Sequence, residues 1–198
     1  MTKLVLFAGP IIAGVVVGRL LGGRIGSLAR WRIRGLWLVL LAATAQAVIR
    51  VPLIDGLAAA PAQLWVTGVS FAAVGLALAL NIPGRPSHIR VGIWLALTGG
   101  ALNGVVIAAN GHMPVSGAGL RAVGIDTAAV SGEPRYAILS SQTRLAALGD
   151  TLPIGPLHVV VSIGDLFIVI ATLLLIAGMM RRLGDDRRSW KAGGNRSP

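Results

Sequence analysis

No cysteine occurs anywhere in the chain, which excludes disulfides, thiolate metal sites and cysteine nucleophiles together. Acid is scarce as well: seven Asp and Glu stand against 18 Lys and Arg. Charged residues of both signs make up only 13% of the sequence, about half of the roughly 25% usual in soluble domains. Aromatics are 5% and form no stacking set. The net charge of +11 therefore does not read as a nucleic-acid face, which needs basic and aromatic groups on one surface or a recognisable binding motif. The basic residues instead fall at the ends of apolar runs, where topology signals lie.

What is abundant is apolar. Hydrophobic residues are 55% and glycines number 27, with a mean hydropathy of +0.78. Glycine in such quantity suits membrane helices, whose backbones approach closely across small residues. Five stretches come near or beyond the ~20 apolar residues that cross ~30 Å of hydrocarbon: residues 4–21, 35–54, 62–81, 91–110 and 158–180. The first lacks a small-residue cleavage site and is followed by Arg19, Arg24, Arg30, Arg32 and Arg34, so it is expected to be an uncleaved span and not a secretory leader.

Orientation follows from the connections. Thirteen Lys and Arg fall on the side that holds the first connection, the third and the tail, and five on the other. The positive-inside bias then puts the N-terminus outside and the C-terminus in the cytoplasm. The expected fold is all-α: a five-span helical bundle over residues 1–180 in a bacterial cytoplasmic (inner) membrane, with a basic, disordered cytoplasmic tail at 181–198. Arginine supplies 16 of the 18 basic residues, a bias that suits a GC-rich bacterial genome. The 47-residue connection 111–157 lies outside in this topology. Its middle, "RYAILSSQTRLAALGD", predicts a short helix ended by Gly149.

Asp165 is a carboxylate inside the last apolar run. A charge at that depth costs about 2.5–3.5 kcal/mol on insertion scales, and intramembrane charges usually face the bundle interior and pair. As one helix, the run places His158, Ser162 and Asp165 on one face at i, i+4 and i+7. Asn103 and Asn110 share a face of the fourth span by the same spacing. Counted inward at 1.5 Å per residue, Asn103 and Asp165 stand at one depth, with Asn110 and His158 level nearer the outer surface. Arg50 would lie within guanidinium reach of Asp165. The expected site is a polar seam of Asn103, Asn110, Asp150, Ser162, Asp165 and Arg50, in which Asp165 is either a structural ion-pair member or a working group.

His112, Asp126, Asp150 and His158 gather near the same end. Imidazoles with carboxylates suit zinc or a base with its orienter. Their spacing matches no metal motif and no G-x-S-x-G occurs, so neither a metal nor another cofactor is expected. Gly14–Gly18 and Gly100–Gly104 are G-x-x-x-G pairs that permit close crossing of helices. Trp31, Trp37, Trp65 and Trp94 fall where interfacial anchors belong.

Two stretches, "GALNGVVIAANGHMPVSG" (100–117) and "LGDTLPIGPLHVVVSIGD" (148–165), carry a family pattern. They resemble a family of small bacterial membrane proteins known as domain of unknown function 5317. The matching positions are Asn103, Asn110, Gly111, Met113 and Pro114 in the first stretch. In the second they are Leu148, Gly149, Asp150, Ser162, Gly164 and Asp165. His112 departs from the pattern, which expects a smaller or aromatic residue there. The resemblance implies no activity, cofactor or partner, only that the outer seam is the family's signature.

The function expected is that of a non-enzymatic membrane component acting through a partner protein, another copy of the chain or a bound solute at that seam, with the lipid bilayer as its surroundings and no nucleic acid. A solute or ion-coupled transporter is the alternative, with Asp165 titrating. A membrane-embedded, metal-dependent enzyme using His112, Asp150 and His158 is the second.

Overall fold

A computed structural model describes residues 2–49, 60–131, 133 and 135–181. Helix α1 (Thr2–Leu20) continues through Pro10 and is followed by a 3-10 segment at Ile25–Arg30. Helices α2 (Leu36–Val48), α3 (Ala60–Leu80) and α4 (Ser87–Asn110) come next. A compact insertion then leads to the last helix, α7 (Ile163–Met180). Helix α7 packs most extensively on α4 and next on α1, while α4 touches α3 and α3 packs on α2. The bundle order is therefore α1–α7–α4–α3–α2.

Two of these helices, α4 and α7, are long and apolar enough to cross a membrane. The apolar helical segments Ala8–Leu20, Leu36–Val48 and Trp65–Leu80 are shorter. Much of the outer surface is apolar: Ile12, Leu20, Trp37, Leu41, Trp65 and Val69 are all more than half exposed.

Glycine sets the helix spacing. A Cβ on Gly99 of α4 would lie 2.5 Å from the Gly164 carbonyl oxygen, and one on Gly164 would lie 2.7 Å from that of Gly99. The two backbones therefore touch, and no larger residue fits between them. Gly14 and Gly18 serve the α1–α7 crossing, where added Cβ atoms would meet Ile176 at 3.0 Å and the Met180 sulfur at 2.6 Å. The other G-x-x-x-G pair does not pack: Gly100 and Gly104 have open space where a Cβ would go. The working glycine is one position earlier, which turns its face by a quarter of the helix circumference.

The chain is mostly helical, as expected, and the insertion adds short strands to it. The insertion holds two small sheets as well as short helices α5 (Gly117–Ala122) and α6 (Ala128–Ser131). Strands β1 (Met113–Val115) and β2 (Tyr136–Ile138) pair in parallel, so the start of the segment expected to be helical is extended. That segment keeps only a 3-10 turn at Ala146–Leu148. Strands β3 (Leu152–Ile154) and β4 (Val159–Val161) pair antiparallel across a 3-10 turn at Gly155–Leu157. The expected span at 158–180 is therefore helical only from Ile163. Three successive valines favour extended backbone, and a hydropathy run does not separate a strand from the helix it leads into.

Candidate functional site

Ser162 starts α7. Its side chain accepts a hydrogen bond from the Asp165 backbone N–H at 2.9 Å, while Asp165 Oδ2 accepts from the Ser162 N–H at 3.1 Å. This is a reciprocal capping box, which satisfies donors that a helix N-terminus otherwise leaves open. A carboxylate in the first turn also meets the positive end of the helix dipole. Asp165 is thus an N-terminal capping residue, and its placement in the chain has a local structural cause.

The box is completed from α4. Asn103 Nδ2 donates to Asp165 Oδ1 at 2.7 Å, and Asn103 Oδ1 accepts from Ser162 Oγ at 2.9 Å. Ser162 is fully buried and Asn103 nearly so. Gly164 makes this approach feasible, since a Cβ there would collide with Asn103 Oδ1. The shared depth of Asn103 and Asp165 expected from the sequence corresponds to a direct contact.

Asp150 enters from the insertion. Its backbone N–H donates to the Pro114 carbonyl and its carbonyl accepts from Ser116 N–H, each at 2.8 Å. It thereby extends β1 along the edge that β2 leaves free. Gly149 permits the approach, because a Cβ there would lie 2.6 Å from the Pro114 oxygen. The Asp150 side chain is different. The residue is only 8% exposed, and its Oδ1 has no hydrogen-bond partner among the described residues. Burial, and after it the neighbouring Asp165 carboxylate, push the Asp150 carboxyl up to about 7. Tyr136 on β2 is also raised, first by burial and then by the Asp150 charge. Tyr136 was not singled out in the sequence; only its pairing to β1 brings it here.

Other expected members go elsewhere. Asn110 Nδ2 donates to the carbonyls of Val106 and Arg144, and its Oδ1 accepts from Arg144 N–H, all at 2.9 Å. It clasps the insertion to the end of α4, and none of these bonds involves His158. His158 ends a 3-10 turn with a φ of 49° and is exposed, so it does not share a helical face with Ser162 and Asp165. His112 lies in the turn between α4 and β1, partly buried. Neither imidazole joins the Asn103–Ser162–Asp165 group. Among the described residues no three His, Asp or Glu side chains come together as metal ligands do. Arg50, expected to pair with Asp165, lies outside the described residues.

The fold and the site together define a mostly helical protein with two helices long and apolar enough to cross a membrane, joined by an insertion of short strands and helices. Residues 30–177 match a family of unknown function, DUF5317. The match covers more than half of the chain, and the chain belongs to this family. Both sequence stretches that carry the resemblance fall inside the matched region. No curated protein and no solved structure matches.

Proposed function

We propose that the protein is a five-span component of a bacterial cytoplasmic membrane, N-terminus outside, that acts without chemistry of its own by engaging a partner protein or a solute at its outer polar seam. Bilayer insertion is supported by the apolar exterior of the bundle, since soluble monomers rarely expose large contiguous apolar patches. The distribution of arginines supports the orientation.

The observation that carries the functional reading is the Asp150 carboxylate, buried beside Asp165 with one oxygen unpartnered among the described residues. An unpaired buried acceptor costs about 1–3 kcal/mol, and a donor supplied from outside the chain would recover it. A proton, an ammonium group or a guanidinium fits that need. Transport is less well supported. Thr172, a polar group deeper in α7, donates its hydroxyl to the Ile168 carbonyl of its own helix, so it adds nothing to an inward polar path.

Topology is testable directly, because a cysteine-free chain accepts single cysteines as reporters. Gln142→Cys should react with a membrane-impermeant maleimide added outside intact cells, and Ser87→Cys only after lysis. The reverse pattern would overturn the orientation. A photoreactive amino acid at Tyr136 should give a discrete crosslinked product in native membranes that Asp150→Asn diminishes. A product equally abundant with Asp150→Asn would remove Asp150 from the site.

A further inference from the structure

At the opposite end of α4 the chain builds a second polar feature. A cavity of about 390 Å³ is lined by Arg30, Trp31, Arg32, Gly84, Arg85 and Pro86. The 24 residues of α4, at 1.5 Å each, set it about 36 Å along the helix axis from Asn110. The Arg85 guanidinium is fixed in the cavity wall. It lies over the Trp31 ring, 4.9 Å from the centroid. Its Nη2 donates to Asn81 Oδ1 at 2.9 Å and to the Arg32 carbonyl.

The supports of Arg85 are themselves held. Asn81 is buried, donates to the carbonyls of Arg34 and Ala77, and accepts from the Arg34 N–H. The Trp31 indole N–H donates to the Met179 carbonyl at the end of α7 at 2.8 Å. Three segments of the chain thus orient one guanidinium and leave its Nη1 and Nε donors without partners among the described residues. Arg30 uses only Nη2, toward Ser27, and the Arg32 side chain makes no hydrogen bond among the described residues. Among the described residues no carboxylate pairs with the group, and the single ion pair is Arg135 with Glu133, in the insertion.

Three guanidiniums with open donors line one cavity, and one of them is stacked and pre-oriented. The planar fork of arginine matches phosphate oxygens in pairs. We propose that Arg30, Arg32 and Arg85 form a binding site for a phosphate oxyanion, with Trp31 and Asn81 as positioning residues. Under the membrane topology proposed above, on which this identification of the source rests, the cavity opens at the cytoplasmic interface. There the phosphate is the headgroup of an anionic lipid.

The test uses full-length protein in a neutral detergent, titrated with dioctanoyl phosphatidylglycerol, dioctanoyl phosphatidylcholine or inorganic phosphate, with bound ligand read by native mass spectrometry. Phosphatidylglycerol should bind saturably and more tightly than phosphatidylcholine. Arg85→Lys and Arg32→Gln should each weaken it about tenfold or more, the scale of a lost charged hydrogen bond. Arg121→Gln, in the insertion, should leave it unchanged. Unaltered helical circular dichroism of Arg85→Lys separates lost binding from lost folding. Inorganic phosphate binding with the same sensitivity to Arg85 and Arg32, and no preference for the lipid, would support the oxyanion site and overturn its lipid source. Binding of neither ligand, or binding indifferent to both substitutions, would overturn the site. Alkaline carbonate extraction of cell membranes tests the other premise separately: release of the chain defeats bilayer insertion whatever the titrations show.

Discussion

Asn103 bridges both halves of the Ser162–Asp165 capping box, donating to the acid at 2.7 Å and accepting from the serine hydroxyl at 2.9 Å. A single carboxamide on α4 thereby fixes where α7 begins, and it also satisfies the carboxylate that the sequence left in question. The contact joins local helix chemistry to the packing of two apolar helices, beside the close approach of Gly99 and Gly164.

Coupling between the two residues is therefore expected. In a double-mutant cycle of Asn103→Ala and Asp165→Asn, followed by thermal or denaturant unfolding in detergent, the interaction energy should be about 1.5–3 kcal/mol, the range for hydrogen bonds to charged groups. Additive effects of the two substitutions would show that the bridge contributes no stability.

The two kinds of glycine on these helices should respond in opposite ways. Gly164→Ala places a methyl group against Asn103 Oδ1 and the Gly99 carbonyl, and should lower stability by about 1–3 kcal/mol, as overpacking does. Gly100→Ala meets open space and should be neutral or stabilising by up to about 1 kcal/mol through helix propensity. Equal melting temperatures for the two variants would contradict the close crossing.

Asp150 should make stability depend on pH. Its folded carboxyl is raised to about 7 from an ordinary value of 3.8, so between these limits the folded state holds more protons than the unfolded one. The sign then follows: the contribution of Asp150 to stability is full below about pH 4, falls as pH rises toward 7, and levels off above it. A shift of this size corresponds to roughly 4 kcal/mol. Asp150→Asn should flatten the profile and be more stable than the wild type at pH 8, measured by thermal unfolding across pH 4–8. An unchanged slope in the variant would assign the dependence to other groups.

The proposed pairing of Arg50 with Asp165 yields a genetic test. The loss of stability in Asp165→Asn should be partly reversed by Arg50→Gln, because removing both charges leaves neither uncompensated. A double variant less stable than either single one would argue against the pair. In that outcome Asn103 and the Ser162 backbone N–H, already bound to the carboxylate, would be its sufficient partners.

Composition and order along the chain were enough to read a mostly helical, apolar chain and the matched levels of Asn103 and Asp165, because a fixed rise per residue converts sequence distance into depth. That Ser162 starts the helix, and does not stand inside it, came from the structure. Only the tertiary structure decided that His158 leaves that helix, since Val159–Val161 find a strand partner in Leu152–Ile154 that hydropathy does not reveal. The same holds for Gly99 taking the packing role expected of Gly100, and for Tyr136 arriving beside Asp150 through a parallel pairing across the insertion. The cage around Arg85 needs Trp31, Asn81 and the end of α7 together. Helix periodicity is a property of neighbours in sequence, whereas these relationships are set by which backbones come close enough to exchange hydrogen bonds.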